Sequence, residues 1–308
     1  MTDLVISIVN HNNRRLLGPF LSSILAETRH LSFMIYVVDN ASRDGSAAMV
    51  AEMFPQVTLI RNANPQGFAA NHNQVLRRAK GRYYVLLNDD MLLIDNAFHQ
   101  MVRFMDVHAE VGAVGCKLLK QDGTTQRSAW VGFPSPRALF IDLFYLSRLF
   151  PGLGSIRKSE VVIRDSTHPI EVDHLSGACL LVRQQVLQQV GLLDESFFMY
   201  LEETDWCYRI RRHGWKIYWM PKAKMLHYGQ QSVGGDLRRF IPMRYHNYCK
   251  FCRKHGTSHA QVILLKFIIA LGASMRAALW ALRGLEGHSD AYPMMHGYLQ
   301  VLREVSSF

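Results

Sequence analysis

An α/β fold with a mainly parallel sheet is what the first 120 residues predict, and three observations carry the prediction. Five short apolar runs, Leu4 to Val9, Phe33 to Val38, Val57 to Ile60, Tyr83 to Leu87 and Val111 to Val114, have the length and composition of buried strands. Stretches that suit helices lie between them, near residues 14–27, 45–53, 68–79 and 96–107, so the order is βαβ throughout. Polar residues close each of the first four runs: Asn10 and His11, then Asp39 and Asn40, then Arg61 and Asn62, then Asn88, Asp89 and Asp90. Ligands of open parallel sheets bind beyond the carboxyl ends of the strands, which is where these groups converge. Any one polar loop is ordinary; four in turn, one with adjacent carboxylates, mark an edge built for binding.

Residues 121–170 carry Pro134, Pro136 and Pro151 among glycines and aromatics, and suit a long loop or a set of short helices. Regularity returns at Gly177. "GACLLVRQQVLQQVG" suits a strand feeding a helix, "FFMYLEETDWCYRIRRHG" a helix closed by Gly214, and "WKIYWMP" a strand stopped by Pro221. The stretch Val262 to Leu282 is long enough to span a bilayer, but Lys266 and Arg276 inside it each cost about 2.5–3.5 kcal/mol near the bilayer centre. Spanning is therefore disfavoured. Lys266, Arg276 and Arg283 share one helical sector of about 100°, which suits a helix lying in the headgroup layer with its cations up. Packing on the protein's own body or on a partner subunit is the alternative.

A net charge of +10 implies anionic company: nucleic acid, an acidic membrane surface or phosphorylated substrates. The cations are scattered and no nucleic-acid motif accompanies them, so nucleic acid is not expected. Leu4 to Val9 is too short and wrongly flanked for a signal peptide. Five cysteines, at 116, 179, 207, 249 and 252, do not suggest a disulfide framework and fit a reducing cytoplasm. His246, Cys249, Cys252 and His255 are evenly spaced at intervals of three; this suits a helix flank better than a zinc site, which folds a loop between two ligand pairs.

The segment "YYVLLNDDML" sets adjacent carboxylates at the end of a buried run. Such a pair resists burial without a positive partner, and a hard divalent cation holding phosphate oxygens supplies one. Alone the segment is weak evidence, since Asx residues also make turns.

The segments "VISIVNHN", "VVDNASRDGS", "NPQGFAANHNQVLRRAKGRYYVLLNDDML" and "GACLLVRQQVLQQVGLLDESFFMYLEETDWCYRIRRHGWKIYWMPKAKMLHYG" together resemble the family 2 glycosyltransferases, in particular the rhamnosyltransferase-like branch that builds bacterial surface polysaccharides. The likeness runs in order over residues 4–255. It implies a GT-A fold, a nucleotide-diphosphate sugar donor such as dTDP-rhamnose, Mg2+ or Mn2+, inversion at the anomeric carbon, and a lipid-linked or oligosaccharide acceptor at the cytoplasmic face of the cell membrane. A homo-oligomer is left open.

Carried over residue by residue, the resemblance puts Val9, Asn10, His11, Asp39, Asn40, Ser42, Asn64, Gly67, Phe68, Asn71, Asn73, Asn88 and Asp89 on the donor side. Asp90 is the main expected metal ligand, with Asp89 and His227 beside it; Asn88 stands where the family's D-x-D motif usually begins with an acid. The general base falls on Glu203, with glutamate where aspartate is usual, and Glu202 and Asp205 remain candidates. Trp206 and Arg209 fall on the acceptor side, Trp206 being equally suited to a core. The implied organisation is a nucleotide-sugar half over 1–120, an acceptor and catalytic-base half over 121–257, and a membrane-associating helical segment over 258–308. Two rivals are a nucleotidyltransferase, which should open with a glycine-rich phosphate loop where this chain has "NHNNRR", and a non-catalytic nucleotide-sugar binder.

Overall fold

The computed structural model describes residues 2–150, 166–229 and 236–308. Along the chain run β1 (Thr2–Asn10), α1 (Arg14–Glu27), β2 (Phe33–Asp39), α2 (Ser46–Met53), β3 (Val57–Arg61), α3 (Phe68–Arg78), β4 (Gly81–Asn88), β5 (Met91–Ile94), α4 (Ala97–Val107) and β6 (Val111–Leu119). The short pieces β7 (Thr125–Gln126), β8 (Ala129–Trp130), α5 (Pro136–Leu143), α6 (Leu146–Leu149), β9 (Ile170–Glu171) and β10 (His174–Leu175) come next. Then follow β11 (Cys179–Arg183), α7 (Gln184–Val190), α8 (Glu202–Arg212), β12 (Lys216–His227), α9 (Leu237–Lys254), α10 (His259–Leu285) and α11 (Ala291–Glu304).

Two compact units result. The first comprises Met1–Trp130, Val162–Phe198 and Glu202–Ser232, the second Val131–Val161, Met199–Leu201 and Val233–Phe308. The division does not follow sequence order, so the boundaries expected near 120 and 257 do not coincide with it. The reason lies in strand pairing: β11 sits between β4 and β6, and β12 between β6 and β5, which draws them into the first unit.

Among the described residues the first unit holds a ten-stranded mixed sheet in the order β3-β2-β1-β4-β11-β6-β12-β5, with β7 beside β6 and β9 beside β12, and a separate antiparallel pair of β8 and β10. Strands β1 to β4 are parallel, β11 is antiparallel to both its neighbours, and β12 runs parallel to β6. The apolar runs fill both faces: Leu4, Ile6, Ile8, Val37, Val85 and Leu87 are buried, with Phe20 and Leu21 of α1 and Phe98 and Met101 of α4 packed on them. The chain order reverses between β1 and β4, so a crevice opens past their carboxyl ends. Register sets what lines it: Asn10 pairs with Asp39, and Val9 with Asn88.

Pro221 does not stop the last strand. β12 runs through it to His227, with its pairing to β6 broken between Met220 and Lys224, and a proline that cannot donate is tolerated at such an irregularity. The expected helix around residues 197–212 begins only at Glu202, because Tyr200 and Leu201 both take left-handed backbone (φ 71° each). Of the stretch left as loop or short helices, 121–150 forms β7, β8, α5 and α6, and 151–165 lies outside the described residues.

The second unit packs α11 on α9 and α10, and α5 on α10. Ser258 and Gln261 form a capping box that starts α10. Cys249 and Cys252 of the evenly spaced series are buried in α9. The cations of α10 turn toward this unit: Lys266 Nζ donates to Ser306 O (2.7 Å), and Arg276 donates to Asp142 O, Leu143 O and Tyr298 Oη. The other side exposes Ile263, Leu264, Phe267, Leu271 and Leu282, and no charged residue is exposed between His259 and Arg283. By length and composition α10 is apolar enough to cross a membrane.

One buried contact makes the first unit sensitive to acid. His72 on α3 is fully buried, with Nδ1 2.8 Å from Ser7 Oγ of β1, and burial pushes its pKa down to about 3. The native protein therefore keeps His72 neutral while the unfolded chain takes up a proton below about pH 6.5. This contribution is complete above that pH and is lost as pH falls toward 3, at about 1.4 kcal/mol per unit. Urea titrations from pH 6 to 4 are expected to show a flatter fall of stability, by about one proton, in His72→Gln; an unchanged slope would contradict the assignment.

Candidate active site

The loops past β1 and β2 form the mouth of the crevice, and both hold a non-glycine residue in left-handed backbone, Asn12 (φ 55°) and Ala41 (φ 58°). Such conformations collect at binding sites because the surrounding structure must enforce them. Between these loops and the end of β3 lies a cleft of about 510 Å3 lined by His11, Asp39, Ser42, Arg61, Asn62 and Asn64, among others. Its size and polar lining suit a nucleoside. Asp39 is held from one side: Asn10 Nδ2 donates to Oδ1 (3.0 Å) and Ser42 N to Oδ2 (3.1 Å).

The two adjacent carboxylates part ways. Asp89 is fully buried and both its oxygens are taken by the β1–α1 loop, Oδ2 by His11 N and Oδ1 by Asn13 Nδ2, each at 3.1 Å. Burial pushes its pKa up to about 7, against the pull of those hydrogen bonds. Asp89 therefore anchors a loop. Asp90 is equally buried, but among the described residues its Oδ1 accepts no hydrogen bond. It faces His227 Nε2 at 3.2 Å.

The other ring nitrogen of His227 donates to Gln126 Oε1 (3.0 Å), and Asn88 Nδ2 lies 3.4 Å from Nε2 as a donor. With Nδ1 donating to Gln126, the neutral ring keeps Nε2 as an acceptor, toward which Asn88 donates and beside which Asp90 Oδ1 lies. A buried carboxylate oxygen that accepts no hydrogen bond among the described residues, beside an accepting nitrogen, is an arrangement that a cation relieves, and that pair of donor atoms suits a divalent one. Asp90 and His227 would suit a divalent cation such as Mg2+ or Mn2+. Gln126 was not singled out in the sequence, since nothing in a two-residue strand signals that it orients a histidine a hundred residues away.

The "GFAANHN" segment is pinned rather than open. Phe68 N donates to Phe198 O (2.9 Å), and a Cβ on Gly67 would lie 2.5 Å from that oxygen, so only glycine allows the approach. Asn71 donates to Gln66 O and Gly67 O and accepts from Asn62; Asn40 donates to Gln66 O and accepts from Gln66 N. Asn73 is turned away from the crevice, bonded to Leu193 N, Leu193 O and Glu195. Phe68 remains half-buried beside the acids: a Cβ on Gly177 would touch Phe68 Cζ at 3.0 Å and Glu203 Cβ at 3.7 Å.

The acids on α8 also separate. Asp205 is fully buried and paired with Arg209 Nε (2.9 Å), whose remaining donors hold Val190 O and Leu192 O. Trp206 is fully buried and donates to Gly191 O (2.9 Å). These three residues clamp the 190–192 loop, so the acceptor role expected for Trp206 and Arg209 gives way to a structural one. Glu202 is 3% exposed; Glu203 alone of the three acids keeps a partly exposed side chain.

Comparisons with known proteins give the family and the fold. The model of the glycosyltransferase like family 2 matches residues 3–240, and the fold is the GT-A α/β fold with added C-terminal helices. The chain belongs to that family. It is 26% identical over 253 residues to N-acetylglucosaminyl-diphospho-decaprenol L-rhamnosyltransferase of Mycobacterium tuberculosis, covering 77% of this chain and 80% of that protein. It is 23% identical over 273 residues to dTDP-rhamnosyl transferase RfbF of Shigella flexneri, covering 85% and 81%. A match to protein y4gI of Sinorhizobium fredii, 26% identical over 84% of this chain, spans only 28% of that longer protein. Among solved structures, mannosyltransferase PcManGT of Pyrobaculum calidifontis, in complex with GDP-Man and Mn2+, superposes with a TM-score of 0.58 at 16% identity, over 99% of this chain and 89% of that one.

The different surroundings of the two aspartates separate their variants. Asp89→Asn sets an amide where two donors need an acceptor, and is expected to lower the thermal midpoint by an amount matching about 1–3 kcal/mol. Asp90→Asn is expected to leave the midpoint of the metal-free protein near wild type and to remove the stabilisation by Mn2+ with a nucleoside diphosphate. Melting curves with and without those ligands check both; the reverse pattern would exchange the roles.

Proposed function

We propose that the chain is an inverting, metal-dependent glycosyltransferase that moves a sugar, rhamnose from dTDP-rhamnose being the leading candidate, onto a lipid-linked acceptor at the cytoplasmic face of the cell membrane. The observation that carries the transferase reading is the Asp90 oxygen facing His227 Nε2 in a buried site beside the 510 Å3 cleft. Asp90 and His227 would hold the cation, which when bound supplies Lewis-acid stabilisation of a leaving diphosphate. The donor's nucleoside lies in the cleft against Asp39, Asn62 and Asn64.

Inversion needs one base opposite the leaving group to take the proton from the attacking hydroxyl. Glu203 has the accessibility for that role, whereas Asp205 is committed to Arg209 and Glu202 is buried. The clamp on the 190–192 loop and the Gly67–Phe198 contact position α8 relative to the donor segment. Purified protein with dTDP-rhamnose, Mn2+ and a polyprenyl-diphosphate sugar is expected to release dTDP, and Glu203→Gln to lose at least a hundredfold in kcat with donor affinity within threefold. Full turnover by Glu203→Gln would remove it as the base.

The names of the mycobacterial and Shigella relatives support a diphospho-lipid acceptor and a dTDP-rhamnose donor. Membrane contact is supported by the second unit, which holds 14 of the 35 Lys and Arg but only 6 of the 25 Asp and Glu, a net +8 of the chain's +10. The exposed apolar side of α10 belongs to the same unit and suits shallow insertion among anionic headgroups. Phe267→Gln with Leu271→Gln is expected to weaken cosedimentation with phosphatidylglycerol–phosphatidylethanolamine vesicles about tenfold or more, from about 1.5–3 kcal/mol for each fully buried side chain. Undiminished cosedimentation would place the contact elsewhere.

A further inference from the structure

The second unit contains a cavity of about 550 Å3 that the transferase chemistry above leaves unused, lined by Asp236, Arg238, Arg239, Met243, His246 and Glu304, among others. Two helices build it. Arg239, Met243 and His246 follow at spacings of four and three on α9 and share one face, and Gln300 and Glu304 lie one turn apart on α11. The helices meet tightly at Gly297, where a Cβ would lie 2.9 Å from Leu237 O and 2.6 Å from Ile241 Cδ1. Gln300 and Glu304 follow one and two turns further along α11, where long side chains line both walls of the gap. Phe308 lines it too, its buried ring meeting the His246 ring edge-on at 5.7 Å.

The charges around this cavity balance. Arg238 and Arg239 bring two guanidiniums, Asp236 and Glu304 two carboxylates. Among the described residues neither carboxylate forms an ion pair, and Glu304 Oε1 accepts from Gln300 Nε2 (2.6 Å). A simple anion would meet two like charges here, whereas a zwitterion meets a complement for each of its signs. Arginine's planar fork matches phosphate oxygens, and a carboxylate matches the N–H donors of a primary ammonium. A quaternary ammonium would call for open aromatic faces, and the Phe308 ring is buried.

The cavity also lies beside the helix with the exposed apolar side. Lys266 Nζ donates to Ser306 O (2.7 Å), which ties the segment between Glu304 and Phe308 to α10 at the turn that exposes Ile263, Leu264 and Phe267. Shallow insertion of those residues sets a neighbouring polar cavity at the level of the headgroups.

We propose that this cavity binds the headgroup of phosphatidylethanolamine, with the phosphate on Arg238 and Arg239 and the ammonium on Glu304, an inference that rests on the membrane contact proposed above. NMR titration of the full, isotope-labelled chain with dihexanoyl phosphatidylethanolamine, kept below its micelle concentration, tests it without a bilayer. Saturable binding is expected at the amides of His246 and Glu304, with dihexanoyl phosphatidylglycerol and dihexanoyl phosphatidylcholine about fivefold weaker or more. Glu304→Gln is expected to bring the phosphatidylethanolamine affinity down to that of phosphatidylglycerol, and Arg238→Gln with Arg239→Gln to weaken it about tenfold.

No binding by the wild type, a preference for phosphatidylglycerol, or a preference for phosphatidylethanolamine that survives Glu304→Gln overturns the proposal. Equal affinity for free phosphoethanolamine also overturns it, since that assigns the cavity to a soluble solute. If the expected pattern holds while Phe267→Gln with Leu271→Gln leaves cosedimentation unchanged, the membrane contact at α10 fails and the headgroup site stands. If cosedimentation falls while the short lipid does not bind, the membrane contact stands and the headgroup site fails.

Discussion

A carboxylate oxygen and an imidazole nitrogen stand 3.2 Å apart in a buried site, with Asn88 donating to the nitrogen and, among the described residues, no hydrogen bond to the oxygen, and the rest of the crevice is arranged around that fact. Leaving a buried acceptor unsatisfied costs about 1–3 kcal/mol, more for a charged one, so the arrangement persists only because its surroundings enforce it. Gln126 fixes the histidine tautomer, the backbone N–H of Tyr228 holds Asp90 O at 2.9 Å, and Asp89 fastens the loop that closes the other side. The neighbouring acid thus serves as an anchor, which leaves Asp90 alone to face His227.

A similar division between anchoring and accessible groups recurs at α8. Three acids lie within four residues, yet Asp205 is committed to Arg209, Glu202 is buried, and Glu203 keeps access. Amides do comparable work beside the cleft, where Asn40, Asn62, Asn71 and Gln66 bond mainly to one another and to backbone. A crevice lined by polar side chains cannot be shaped by apolar packing alone, and satisfied polar networks give it rigidity without stray charge.

Much of this was legible in the residues themselves. Runs such as Leu4 to Val9 and Tyr83 to Leu87 announce strands because both faces of a parallel sheet are covered, and the polar residues after them mark the carboxyl edge. Partner choice was not legible. Asp89 and Asp90 look alike in a sequence, and only the arrival of the β1–α1 loop at one and β12 at the other separates them. Trp206 and Arg209 lie on the acid-bearing helix, but the side chains turn to the 190–192 loop, a contact set by tertiary packing. Pro221 misleads for a related reason: its effect depends on whether a strand has a break in pairing to receive it, and β12 does.

The most direct measurement is anomalous diffraction at the manganese edge from crystals grown with Mn2+ and dTDP. Metal-dependent donor binding through Asp90 predicts one peak about 2.2 Å from both Asp90 Oδ1 and His227 Nε2, in contact with diphosphate oxygens. A nucleotide seated in the crevice with no peak there, or with the peak on Asp89 after displacement of Asn13, would contradict it.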